Sequence, residues 1–199
     1  TGSLEVPFTV TIKDKDTALL QISGETRILR RGEYTEWIQV TFKGGFATKV
    51  SGVCKFLLLS TEPDFELYVT PINIDPEKPA MQIGYPSVYP IYLAKKQGVY
   101  ATLGLAEDTW GLNDHVLSDD QFLQQCSETD RERELMFFDS LEKVPRGLCV
   151  CVFDGTDRMQ HMFWRYHDKQ HPACPAELPA SHANAIGDLY QRMDDLVGR

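Results

Sequence analysis

The pattern of apolar and polar positions over the first ~75 residues reads as β-rich. Phe8, Val10 and Ile12 stand between threonines, the pattern of a half-buried strand. Asp14-Lys15-Asp16 has turn chemistry, and the apolar run resumes from Leu19 to Ile22. Gly24-Glu25 and Arg31-Gly32 punctuate the chain again. Trp37 to Phe42 is rich in β-branched and aromatic residues and predicts a strand, with Lys43-Gly44-Gly45 as the hairpin turn that closes it. Val50 to Leu59 reads as one further strand, Glu62-Pro63-Asp64 as a turn, and Phe65 to Val69 as the last strand. Short strands at this spacing predict a small sandwich or open barrel over residues 1–75.

The pattern changes after Pro71. Pro71, Pro76, Pro79, Pro86 and Pro90 each remove a backbone donor and disfavour helix in the residue before, so this stretch predicts a rigid, irregular connection. A short helix is expected over Pro90 to Lys96, ended by Gly98. Ser118-Asp119-Asp120-Gln121 is a capping-box pattern. The helix it opens should bury Phe122, Leu123, Cys126, Leu135, Met136 and Leu141 and end near Glu142, with a break in its polar middle, Ser127 to Glu134. Pro145-Arg146-Gly147 stops it. Leu148 to Phe153 is apolar at every position, as buried central strands of parallel sheets are. Ser181 is expected to cap a last helix with the stripe Ile186, Leu189, Tyr190, Met193, Leu196 and Val197. The expected organisation is thus a β-rich region at 1–75, a Pro-rich and helical region at 76–146, and a strand–loop–helix portion at 147–199. The fold class is α+β or α/β.

Composition narrows the function classes. A chain of 199 residues is long enough for one large domain or two small ones. Its formal net charge of −9 repels a nucleic-acid backbone, so nucleic-acid binding is not expected as the main role. No apolar run approaches the ~20 residues of a spanning helix. The opening Thr-Gly-Ser-Leu-Glu-Val-Pro has no basic stretch followed by an apolar run, so a signal peptide is not expected there. The five cysteines, Cys54, Cys126, Cys149, Cys151 and Cys174, are odd in number and irregularly spaced. They suit buried free thiols, with Cys149 and Cys151 on one face of a strand, and a reducing, cytoplasmic setting.

In open α/β sheets functional groups gather in the loops after the strands. The segment after Phe153 contains Asp157 and His161, four apart, then Phe163, Trp164, His167 and His171. On a helix, Asp157 and His161 share one face and can converge on one cation. A carboxylate with an imidazole suits zinc or another first-row divalent ion, and Phe163 and Trp164 could wall such a site. The same spacing also fits a helix cap at Asp157 and a surface histidine at 161. Several other groups have a bland reading: Glu107-Asp108 as a solvated turn, Trp37 and Trp110 as core, and the charged run Glu128 to Glu134 as a solvated helix face.

The run VFDGTDRMQHMFWRYHDKQHP, residues 152–172, resembles the TDRxQHxFWxY…HP signature of the type I phosphodiesterase/nucleotide pyrophosphatase family of the alkaline phosphatase superfamily. The upstream stretches LYVTPINIDPEKPAMQIGYP and GVYATLGLAEDTWGLND resemble a subgroup with a β-rich insert before that signature. The resemblance implies a mostly parallel sheet flanked by helices, two metal ions, usually zinc, and a Thr or Ser nucleophile attacking phosphorus in a phosphoester small molecule. By resemblance Asp157 and His161 are ligands of one metal, on the water side. His167 and His171, weighed from the residues rather than the resemblance, are candidate extra ligands or substrate contacts, with a solvated loop ahead of Pro172 as the bland alternative. Thr156 is not the nucleophile, which the family places upstream. The family's early aspartate, its Ser-Asp-His-Gly run and its distant histidine have no counterparts here. The chain is therefore expected to be a β-rich insert plus one edge of a catalytic domain, without catalytic residues and inactive alone.

Two rivals belong to other classes. In one, the β-rich half is a recognition module and the signature is vestigial. In the other, His161, His167, His171 and Cys174 form a structural zinc site.

Overall fold

A computed structural model describes residues 4–44 and 49–199. Within it the chain divides into two compact units, Thr1–Val116 and Leu117–Arg199. Both α and β structure are present, in the arrangement of an α+β protein. The division falls at 116/117, against expected boundaries after 75 and 146.

The first unit contains strands β1 (Phe8–Ile12), β2 (Thr17–Ile22), β3 (Glu25–Arg30), β4 (Ile38–Lys43), β5 (Lys49–Cys54), β6 (Phe56–Ser60), β7 (Glu66–Val69) and β8 (Asn73–Ile74). They form three small antiparallel sheets, ordered β1-β2-β3, β4-β5-β8 and β6-β7. The period-two pattern decides which side chains enter the core. Ala18, Leu20 and Ile22 of β2 are buried and pack with Leu29, Ile38, Val40, Cys54, Phe56 and Leu58. Burial pushes the Cys54 thiol up to about 11, as befits a packing thiol.

The expected single strand from Val50 to Leu59 is two strands in two sheets, β5 and β6. Lys55 is the switch point. Its N–H donates to Thr70 Oγ1 at 2.9 Å, its carbonyl accepts from Thr70 N–H at 3.0 Å, and its ammonium lies 4.9 Å from the centre of the Trp37 ring. β3 lay in a gap between turn signals and was not expected as a strand. The hairpin turn expected at Lys43-Gly44-Gly45 runs into residues 45–48, outside the described residues.

Two helices complete this unit, α1 (Val88–Gln97) and α2 (Thr109–Asn113). Gly98 ends α1 at φ 96°, a conformation open to glycine. Asn73 of β8 ties the segment after α1 to the sheet by accepting from Thr102 N–H at 2.7 Å. Glu107 and Asp108 are not a solvated turn. Glu107 is buried, and Asp108 caps α2 by accepting from Gly111 N–H at 2.9 Å and from the Tyr68 hydroxyl at 2.8 Å. Trp110, expected in the core, is 77% exposed, because it sits on the outer side of a five-residue helix that buries Gly111 and Leu112 instead.

The second unit is helical: α3 (Asp119–Lys143), α4 (Gly155–His167) and α5 (Ala180–Val197). The capping box at Ser118 forms as expected, with Gln121 N–H donating to Ser118 Oγ and Ser118 N–H to Gln121 Oε1. α3 does not break at Ser127 to Glu134. Part of that run faces inward, with Thr129 and Asp130 buried, so it is not a solvated face. Conversely Leu135 and Leu141 are exposed. The core forms where Phe122, Phe163, Tyr166, Leu189 and Ile186 are buried, with the Phe122 and Phe163 rings stacked at 6.2 Å. At the start of α5, Pro179 is the cap residue and Ser181 lies inside the first turn.

Leu148 to Phe153 is neither a strand nor buried. Among the described residues it has no ladder partner. Leu148, Val150 and Val152 point outward, while Cys149, Cys151 and Phe153 are half-buried. The period of two survives in the exposure of the side chains, but among the described residues no sheet forms around the segment. Among the described residues the central strand expected here, and with it the parallel sheet, is not formed. Cys149 and Cys151 share one face, as expected, but are only half-buried.

Candidate functional site

The site begins where the segment 148–153 runs into α4. Asp154 is the residue before the helix, and its carboxylate does not fold back onto the first turn. It is held by two arginines: Arg133 of α3 donates from Nη1 to Oδ1, and Arg158 donates from Nη2 to Oδ2 at 2.9 Å. Partial burial by itself pushes the Asp154 carboxyl up. The hydrogen bond from Arg158 and the charge of Arg133 outweigh that, so it lies below the usual carboxylate range.

One turn into the helix, Asp157 and His161 stand on the same face, with Asp157 Oδ1 3.5 Å from His161 Nε2. Their side chains are 79% and 76% exposed, so the pair opens to solvent. Opposite them, Met159, Phe163 and Tyr166 are buried. That amphipathic split fixes which face of α4 the pair occupies. The tail of the helix is tied down by Arg165 and Tyr166, which donate to the two carboxylate oxygens of Asp119. Gln160 reaches the Tyr190 hydroxyl of α5 at 3.2 Å.

Phe163 does not wall the pair, because it is fully buried in the helical core. Trp164 is 44% exposed, its ring 5.1 Å from that of His167. It lies three residues beyond His161 and so on the same side of the helix. His167 is exposed and six residues beyond His161, which turns it away around the helix at about 100° per residue. His171 lies after the helix in a tight turn, where its Nδ1 accepts from Ala173 N–H at 3.1 Å. Thr156 Oγ1 lies 3.5 Å from the Phe153 carbonyl.

The two donors that converge are an anionic oxygen and an imidazole nitrogen, a set that fits one side of a first-row divalent ion. Among the described residues no three of histidine, cysteine, aspartate and glutamate gather, and His161, His167, His171 and Cys174 do not form a cluster. Among the same residues no helix is long and apolar enough to cross a membrane.

Sequence reasoning missed two features. Asp130 is buried beside the start of α4, and His182 is buried against Phe163 and Tyr166 with its Nε2 2.8 Å from Asp120 Oδ1. Asp130 falls in the charged run that polarity assigned to solvent, and His182 drew no reading at all. Their only sequence signal is their place on the inward helix face.

No family model, curated protein or solved structure matches this chain.

Proposed function

We propose that this chain supplies one metal-binding edge of a hydrolase acting on phosphodiester or nucleotide pyrophosphate bonds, with Asp157 and His161 as two ligands of one divalent ion, zinc being the ion that this donor pair suits. The observation that carries the proposal is the convergence of Asp157 Oδ1 and His161 Nε2 to 3.5 Å on the open face of α4, within the run that resembles the family signature.

When bound, a metal pair would polarise a phosphoryl oxygen and stabilise the charge that builds up during displacement. The chain's own residues have simpler duties. Asp157 offers a carboxylate oxygen and His161 the lone pair of Nε2. α4 holds the two at fixed spacing, because its opposite face is packed into a core. Trp164 offers an aromatic surface beside His161. The remaining donors and the nucleophile come from residues outside this chain.

The segment 148–153 supports the same reading. It alternates in exposure and turns Leu148, Val150 and Val152 to water. A run apolar on both faces is what a parallel sheet buries. In the assembled enzyme we place it in such a sheet, with Asp157 and His161 just beyond its carboxyl end. Metal clusters that lack most of their ligands do not turn over, so the chain alone is inactive.

The test is hydrolysis of an aryl phosphodiester with added zinc, by this 199-residue chain and by a longer protein containing it, each with and without His161→Ala. The expected result is background rates for the chain and zinc-dependent turnover by the longer protein that His161→Ala abolishes. Turnover that survives the substitution removes His161 from the site. Turnover by the 199-residue chain overturns the idea that it is one edge only.

A further inference from the structure

Asp157 and His161 converge only if the first turns of α4 stay wound. An aspartate before a helix ordinarily secures that turn by accepting from one of its amides. Asp154 does not, since both of its oxygens are committed to arginines. The start of α4 is held in another way. Arg133, on α3, grips Asp154 from outside the helix. Arg158, one turn on and buried, grips it from within. Against the other side of the turn lies Asp130, also on α3 and one turn before Arg133. A Cβ on Gly155 would stand 2.6 Å from Asp130 Oδ1 and 2.9 Å from Oδ2. The Asp130 carboxyl thus rests directly on the helix's first residue, and any side chain there would have to push it aside.

Asp130 is 2% exposed, and its Oδ1 has no hydrogen-bond partner. Burying a carboxyl in this way costs free energy. The charges of Arg192 and Arg133 offset only part of that cost, so burial holds the carboxyl above its usual range. α3 therefore touches the start of α4 at two points, through a salt bridge at Asp154 and through a carboxylate against Gly155.

We infer that Arg133 and Asp130 are positioning residues for the metal-binding pair, fixing the start of α4 and through it the spacing of Asp157 and His161. The inference rests on the ligand role proposed for those two residues. Neither positioning residue is catalytic. Outer groups that orient metal ligands are commonly worth about 10–100-fold in metal affinity.

The experiment uses the 199-residue chain and its Arg133→Gln, Arg133→Lys, Gly155→Ala, Glu134→Gln and His161→Ala variants. Glu134 pairs with Arg192 and Arg199 and serves as a control for general loosening of the helical unit. Two quantities are read: amide exchange over residues 156–161 relative to α5, and the zinc concentration that half-shifts the His161 ring resonances. In Arg133→Gln and Gly155→Ala, exchange at 156–161 should rise at least tenfold while α5 is unchanged, and zinc should bind about tenfold more weakly. Arg133→Lys should recover part of both, and Glu134→Gln should change neither.

Unchanged exchange at 156–161 in both Arg133→Gln and Gly155→Ala overturns the inference and leaves the ligand reading standing. Raised exchange with unaltered zinc response overturns it too, since the pair would then not depend on the clamp. For zinc binding itself, the control is the loss of Asp157 and Trp164 resonance shifts in His161→Ala. If those shifts persist there, the ligand reading fails and the inference falls with it. Should Arg133→Gln not fold, Arg133→Lys and Gly155→Ala decide the matter.

Discussion

Asp130 and Asp154 are neighbours at one helix start and respond to pH in opposite senses. Burial pushes the Asp130 carboxyl up, with Arg192 and Arg133 pulling the other way. Folded Asp130 therefore keeps its proton at pH values where the unfolded chain, with an ordinary carboxyl near about 3.9, has released it. Its contribution to stability falls as pH rises from about 4 through the raised folded value. Asp154, held low by arginines, contributes stability above about pH 4 that is lost as pH falls through its lowered value. Asp130→Asn, which stays neutral, should thus gain on the native protein as pH rises, while Asp154→Asn should lose most near neutrality and least in acid. Urea unfolding of both variants between pH 3 and 8 measures this. Parallel pH profiles for the two variants would show the assignment to be mistaken. At the next residue, Gly155→Ala should cost about 1–3 kcal/mol, because crowding against a buried carboxylate outweighs the helix preference of alanine.

Elements differ in how openly the sequence announces them. The Ser118 box was legible because Ser118 and Gln121, three residues apart, bond each other, so no distant partner is needed. Ser118→Ala should cost about 1 kcal/mol, read as a lower midpoint in thermal or urea unfolding, and threonine at the same position should restore most of it. α4 falls where a loop was expected, and spacing alone left Asp157 and His161 equally open to a helix cap and a surface histidine; the resemblance over residues 152–172 singled the pair out. Elements that depend on a partner were read less well. The apolar run 148–153 has the composition of a central strand, but a strand exists only as a member of a sheet, and none forms around it. Lys55 split one expected strand into two, because what decides its direction is Thr70, fifteen residues on. The middle of α3 was read as a solvated break because polarity suggests water. Asp130 and Thr129 are instead buried, Asp130 against Gly155 of α4, a fact of packing with no local signature.

At the scale of the molecule, the exposed apolar residues are unevenly distributed. In the helical unit Leu135, Leu141, Val144, Leu148, Val150 and Val152 are all at least 40% exposed and close together in sequence. Scattered exposed leucines and valines are ordinary, but a run of them is the mark of a surface that something covers. If that cover is a sheet joined by segment 148–153, the effect of a charge placed there depends on whether the cover is present. Val150→Lys in the 199-residue chain removes no buried contact, so its stability should stay within about 0.5 kcal/mol of the native chain. Its binding of a hydrophobic dye and its tendency to self-associate should fall, because a lysine on an unpaired segment discourages edge-to-edge pairing. In a longer protein that completes the sheet, the same lysine would be forced into a buried position and should abolish folding of the catalytic domain. A 199-residue Val150→Lys chain that is strongly destabilised would mean that the segment is already packed, and the case for a missing sheet would lose its physical basis.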